Sequence, residues 1–307
     1  MLLEDVLKEF IYDCETRSLS PRTIKGYRNN NLRFFKFLKD ELDITELEKV
    51  NSKQIKMYLS LLREQKLTET YANSILKNVR SFFNYCVDEE YITDNPAKKV
   101  SWVKEPKVLI NAFTDDEVVK MLNIRPTTTY LTARDKCILA MFLDTGIRNL
   151  ELCSISDYDI KGRYILIRGK GNKERQVPVT PFLKKYMIKY ERMKEGYFKY
   201  KFNVEDYYFL SRTGRQLTVE ATLNIMKKIG KESGVDREGL RVSPHTCRHY
   251  YAQSQLKNGL DVYSLSRLLG HEDITITKRY LQSIKDDEIL DIAISSSPLM
   301  NLRGVRG

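Results

Sequence analysis

No stretch of this sequence reaches the ~18 uninterrupted apolar residues that a membrane-crossing helix needs, so a helical membrane protein is excluded. The opening residues, MLLEDVLKEF, lack the basic region and long apolar run of a secretory signal and carry acids instead. The expectation is a cytoplasmic protein. Cysteine is sparse and poorly placed for cross-linking: Cys14, Cys86, Cys137, Cys153 and Cys247 are odd in number, far apart, and form no C-x-x-C pair. That pattern argues against a disulfide scaffold and for reduced thiols. Internal repeats and low-complexity tracts are also missing. Histidine is scarcer still: there are three, His245, His249 and His271, all between Ser243 and Tyr280. Histidine changes charge near neutral pH, so gathering the whole supply into one stretch calls for a chemical explanation.

What is present bounds the rest. With 307 residues and 42% hydrophobic content, the chain can bury a substantial core as two modest domains or one large one. A net charge of +11 and a pI near 9.2 favour an anionic partner such as nucleic acid or an anionic membrane surface. On charge alone, a merely basic soluble protein fits equally well.

Residues 1–105 read as helices. Leu2, Leu3, Val6, Leu7, Phe10 and Ile11 recur at helical spacing. Ser20-Pro21 can cap and open a second helix, marked by Ile24, Tyr27, Leu32, Phe35 and Leu38. A third follows Asn51 or Ser52, and a fourth runs from Thr68 to Glu90 before Asn95-Pro96 stops it. Arg22, Lys25, Arg28, Lys77 and Arg80 lie on these helices, as phosphate-tracking groups would, although a solvated helix face would look the same. From Lys98 to Asn111 the composition shifts to lysine-rich and aperiodic, which predicts a linker, with the domain edge near residue 106 and the linker over 106–112. Thr114 and Glu117 then form a capping box. Helices are expected over 133–143, 181–193 and 219–233. Between them, Tyr164 to Arg168 and Arg175 to Val179 alternate like strands around the turn Gly169-Lys170-Gly171-Asn172-Lys173. The fold class is therefore mainly α with a small antiparallel β-sheet (α+β).

Several features could carry chemistry. Ser243-Pro244 suits a helix start, which sets His245 and Arg248 on one face of the first turn, where a phosphate could bind. Asp261 to Leu269 reads as a short helix closed by Gly270, after which His271 follows. Asp273 opens a last helix that carries Tyr280. Free tyrosine has a pKa near 10, so a nucleophilic tyrosine needs a base or cations beside it. Upstream, Arg148 stands at a glycine-marked break and Lys170 at the hairpin tip. The Gly169-Lys170-Gly171 turn does not have phosphate-loop spacing. His245, Cys247 and His249, at i, i+2 and i+4 of one helix, cannot converge on a metal. No metal or other cofactor is expected.

The segments TGIRNLELCSI around Arg148, RGKGNKERQVPV around Lys170, HTCRH at 245–249, LLGH ending at His271 and TKRY ending at Tyr280 resemble, in order and spacing, the tyrosine recombinase (phage integrase) family. SPRTIKGYRNNNLRFFKFL and YANSILKNVRSFFNYCVDEEYITDNP are similar to the family's helical core-binding domain, so the resemblance covers almost the whole chain. It is strongest to compact Xer-type members and to integrases of mobile elements. Thr246-Cys247 and Arg279 depart from the usual pattern without touching a catalytic position.

The resemblance implies a SAM-like core-binding domain over 1–105 and a catalytic domain with a C-terminal tail helix over 113–307. It also implies catalytic roles for Arg148, Lys170, His245, Arg248, His271 and the nucleophile Tyr280, with His249 in a supporting place. Lys173 is the alternative hairpin lysine and otherwise a DNA contact. The implied activity is cleavage and rejoining of DNA strands through a 3′-phosphotyrosyl intermediate, in integration, excision or dimer resolution. The implied partners are duplex recombination sites and a homotetramer on two of them, joined by exchange of the Asp286–Ile294 helix, with room for a partner recombinase or accessory protein. Two alternatives stay open at this point: an inactive DNA-binding accessory protein of the same fold, and type IB topoisomerase-like strand relaxation.

Overall fold

The computed structural model describes residues 1–106, 111–169, 173–281, 290 and 293–294. It divides into two compact units, Met1–Lys107 and Val108–Gly307, each with its own apolar core.

The first unit holds α1 (Leu3–Thr16), α2 (Pro21–Leu42), α3 (Ser52–Glu64) and α4 (Glu69–Asp88). Local chemistry sets where the helices begin. The Ser20 hydroxyl accepts from the Thr23 N–H at 3.2 Å, and Thr68 does the same for Tyr71 at 3.3 Å. Asn51 and Gln54 form a reciprocal capping box, with bonds of 2.9 and 2.8 Å. Losing one such cap typically costs ~1 kcal/mol. The apolar stripes of all four helices meet in an aromatic core of Phe10, Phe34, Phe35, Phe82 and Phe83. Phe82 sits among them, its ring 5.2 Å from Phe35 and from Phe83. Each such ring contributes roughly 1.5–3 kcal/mol by leaving water.

The shift in composition at Lys98 does not mark the edge of this packing. The Asn73 amide brackets Val103, donating to its carbonyl at 2.8 Å and accepting from its N–H at 2.9 Å. Asn73 and Thr70 also hold the Glu105 carboxylate. Residues up to Glu105 are thus fastened along α4, by side-chain bonds that periodicity cannot reveal. Residues 107–110 of the expected linker lie outside the described residues.

The second unit contains α5 (Asp115–Asn123), α6 (Tyr130–Thr145), α7 (Asn149–Ser154), α8 (Pro181–Phe198), α9 (Val219–Ser233), α10 (Pro244–Lys257), α11 (Val262–Leu269) and α12 (Ile274–Leu281). The strands β1 (Tyr164–Arg168) and β2 (Glu174–Pro178) pair antiparallel, with Ile165 opposite Val177 and Ile167 opposite Arg175. Among the described residues the architecture is mainly helical with this one small sheet. Ile165, Ile167 and Val177 face the core, and the Gly169 N–H donates to the Lys173 carbonyl at 2.8 Å to close the hairpin's base.

Helix α6 is the axis of this unit, with every residue from Cys137 to Leu143 buried. Gly146 ends it at φ +59°. A Cβ at Gly146 would fall 2.5 Å from the Tyr251 ring and 2.9 Å from Leu269, so only glycine allows α10 and α11 to close over this turn. A satellite cluster of Tyr251, Ala252, Leu256, Leu265, Leu269 and Tyr280 binds α10, α11 and α12 together. All five cysteines are free and buried, and no described helix is long and apolar enough to cross a membrane.

Candidate active site

Helix α10 begins where Ser243 accepts from the Thr246 N–H at 3.2 Å, with Pro244 in its first turn. This points Arg248 inward, where it is only 4% exposed. A buried cation needs hydrogen-bond partners, and this one has three. Nη1 donates to the Gly146 carbonyl at 2.7 Å, and Nη2 donates to the Leu269 carbonyl at 2.7 Å and to Nε2 of His271 at 2.8 Å. Burial, with Arg148 nearby, lowers the Arg248 pKa to about 10, which leaves it charged at neutral pH.

A guanidinium only donates, so Nε2 of His271 must accept. The ring proton then sits on Nδ1, which lies 2.7 Å from the hydroxyl of the fully buried Thr277. Burial, followed by the charges of Arg248, Arg148 and Arg175, lowers the His271 pKa to about 4. The ring is neutral at physiological pH.

Arg148 immediately precedes α7. Its N–H donates to Glu151 Oε2 at 2.9 Å, Nη1 to Glu151 Oε1 at 2.9 Å, and Nη2 to the Gly270 carbonyl at 2.8 Å. Its side chain stays 42% exposed, so it presents charge to solvent beside His271. Glu151 is also gripped by both Nη atoms of Arg175, whose Nε donates to the Leu268 carbonyl at 2.8 Å. Burial works against the Glu151 carboxylate, but Arg175 and Arg148 more than offset it and hold its pKa down at about 2.

Tyr280 is 3% exposed in the satellite cluster. Burial raises its pKa, while the charge of Arg248 opposes the rise. Its hydroxyl lies 3.1 Å from Nδ1 of His249. His245 stands one turn earlier, its ring edge-on to that of His249 with centroids 4.2 Å apart.

The structure therefore gathers Arg148, Arg248, His271 and Tyr280 around the Gly146 and Gly270 turns. Lys170, with Gly171 and Asn172, lies outside the described residues. His249, expected to serve only a supporting place, is the histidine that meets the tyrosine hydroxyl. Lys173 is paired with Glu272 at 2.8 Å across exposed surface. In the first unit Arg22, Lys25, Arg28 and Lys77 are exposed. Arg80 is not a free cation: it donates to the Ala97 and Val100 carbonyls and stacks 4.2 Å from the Trp102 ring centroid. Cys247 is buried in the core.

Two residues of the site escaped the sequence reading. Glu151 hides because the helix it caps opens with arginine rather than serine or threonine. Arg175 left a usable sign: on β2 it shares the inward face of Val177, an unusual place for a lone charge.

The model for the phage integrase family matches residues 111–286, and that for the phage integrase N-terminal SAM-like domain matches residues 7–90. Tyrosine recombinase XerD of Listeria monocytogenes is 31% identical over 290 residues, covering 92% of this chain and 94% of that protein. Tyrosine recombinase XerC of Thermodesulfovibrio yellowstonii is 32% identical over 284 residues, covering 91% of each. The same fold is seen in the XerH site-specific recombinase bound to its palindromic difH substrate, at TM-score 0.75 and 21% identity, covering 96% of this chain and 83% of that one. A lambda integrase dimer bound to a core site matches at TM-score 0.72 and 20% identity, covering 90% of this chain and 97% of that one. Likeness of this extent runs through both units, and the chain belongs to the phage integrase family as a tyrosine recombinase.

Proposed function

We propose that Tyr280 is the nucleophile with which this site-specific recombinase cuts and rejoins duplex DNA. The observation that carries the reading is buried Arg248, which hydrogen-bonds His271 and whose charge acts on the Tyr280 hydroxyl. The Tyr280 oxygen attacks the scissile phosphorus, forming a 3′-phosphotyrosyl ester and releasing a 5′-hydroxyl. A 5′-hydroxyl of the exchanged strand reverses the step. One ester replaces another, so no energy-rich cofactor is consumed.

Arg148 and Arg248 bind the non-bridging oxygens as their charge grows, a task suited to planar guanidinium groups. Losing one such preorganised donor costs ~3–4 kcal/mol in the transition state. Neutral His271 keeps phosphate and tyrosine in line through the Arg248 guanidinium that it accepts from, while His245 assists the tyrosine's placement from beside His249. Lys170 protonates the departing 5′-oxygen. Arg22, Lys25, Arg28, Lys77 and Lys173 track DNA phosphates, so affinity falls steeply with salt.

The protein works in the cytoplasm, and four protomers assemble on two sites through the tail helix. Leu290 and Ile294 of that segment are 60% and 61% exposed, and lambda integrase has been solved as a tetramer on a Holliday junction. Most of the Asp286–Ile294 helix lies outside the described residues.

The test offers the protein a pool of nicked suicide duplexes of randomised sequence and looks for a denaturant-resistant adduct. Wild type traps one and Tyr280→Phe does not. An adduct that persists in Tyr280→Phe overturns the assignment.

A further inference from the structure

We infer that His249 is the positioning residue that orients the Tyr280 hydroxyl, by accepting its hydrogen on Nδ1; this rests on Tyr280 being the nucleophile. The two atoms are 3.1 Å apart. Tyr280 lies on α12 and His249 on α10, and Tyr280 is itself part of the satellite cluster that joins these helices. A buried hydroxyl needs a partner, and its geometry sets where the attacking lone pair points.

The direction of the bond follows from the neighbours. Arg248 lies close enough for its charge to act on the same hydroxyl and, as a guanidinium, can only donate. The phenolic oxygen turns its lone pairs towards this cation and its hydrogen towards Nδ1, 3.1 Å away. His249 must then be neutral with its own proton on Nε2. Its surroundings favour that state: burial first, then His245 and Arg248, lower its pKa to about 4. The His245 ring, edge-on at 4.2 Å, buttresses the imidazole from the preceding turn. Bonded to the imidazole in the field of Arg248, the hydroxyl is oriented before DNA arrives. His249 thus acts through Tyr280 and does not touch the phosphate.

The substitution series separates this role from packing. The Asn side-chain oxygen reaches close to where Nδ1 of a histidine stands, whereas Leu fills the volume with no acceptor. On duplexes that wild type traps from the randomised pool, His249→Leu should form the covalent adduct about 100-fold more slowly while binding DNA as wild type does. His249→Asn should recover most of the rate. Adduct formation by His249→Leu at the wild-type rate overturns the inference, as does His249→Asn being as slow as His249→Leu. Failure of wild type itself to form an adduct would instead count against the nucleophile assignment.

A second measurement needs neither DNA nor a histidine variant. With three histidines in the chain, the ring nitrogens of ¹⁵N-histidine-labelled wild type can be resolved, and Tyr280→Phe identifies the Nδ1 signal that loses a hydrogen-bond donor. An unprotonated His249 Nδ1 that shifts in Tyr280→Phe supports the inference. A protonated Nδ1, or one that does not respond, overturns it.

Discussion

Arg175 meets Glu151 fork to fork: Nη1 is 2.8 Å from Oε1 and Nη2 is 2.7 Å from Oε2, with the two side chains only 11% and 7% exposed. The same carboxylate receives Arg148, and the same guanidinium reaches the Leu268 carbonyl. One pair therefore joins the hairpin strand β2, the Arg148 turn and the end of α11. Removing one partner of such a buried pair strands the other, at a cost of ~3–5 kcal/mol. Arg175→Ala should lower the urea midpoint accordingly, and Arg175→Lys, which keeps the charge without the fork, should fall between. An unchanged midpoint for Arg175→Ala would contradict the bracing role.

Lys77 and Arg80 lie one turn apart on α4 but should behave differently. Lys77 is exposed, so Lys77→Ala should weaken DNA binding and reduce the salt slope by about 1. Arg80 spends its donors on Ala97 and Val100 beneath Trp102. Arg80→Ala should chiefly lower the melting temperature and loosen the segment up to Glu105. Filter binding across a salt series and thermal melts separate the two. Equal salt-slope losses would show that Arg80 also tracks phosphate.

The buried histidines predict how stability depends on pH. His249 and His271 have folded pKa values of about 4 against an ordinary 6.5, and burial lowers His245 as well. The folded state therefore binds fewer protons than the unfolded one between those values. The contribution is fully present above pH 6.5 and is lost as pH falls towards 4. Asp144, raised by burial, acts in the opposite sense, one group against three. The net loss from pH 7.5 to pH 5 should be on the order of 2 kcal/mol, read from urea midpoints. A flat profile would contradict the neutral-histidine assignment.

Thr277 should matter although it lies away from the phosphate. Its hydroxyl is the partner of the His271 Nδ1–H, and Thr277→Val leaves that donor buried and unpaired. The expected result is a stability loss of ~1–3 kcal/mol and adduct formation slower by about 10- to 100-fold, with Thr277→Ser near wild type. A Thr277→Val protein as fast as wild type would show that His271 needs no such anchor.

Much of this site was legible in advance because its members sit at marked places. Arg148 follows the Gly146 break, Arg248 lies in the first turn after Ser243-Pro244, His271 follows the Gly270 stop, and Tyr280 ends TKRY. Capping chemistry is local, so the helix starts at Ser20, Asn51, Thr68, Thr114 and Ser243 were legible for the same reason. What stayed hidden depends on the third dimension. Nothing local tells that Arg175 will reach Glu151 across a hairpin, or that Asn73 will tie Val103 to α4. Nor does local spacing tell His249 from His245: four residues apart on one helix, they share a face, and only the approach of α12 decides which one the tyrosine meets.

The most direct test of the account is where the DNA becomes attached. The trapped wild-type adduct is digested with protease and nuclease, and the modified peptide is sequenced by mass spectrometry. The account predicts a nucleotide joined through its 3′-phosphate to Tyr280. A nucleotide on any other residue, or a linkage through a 5′-phosphate, would contradict it.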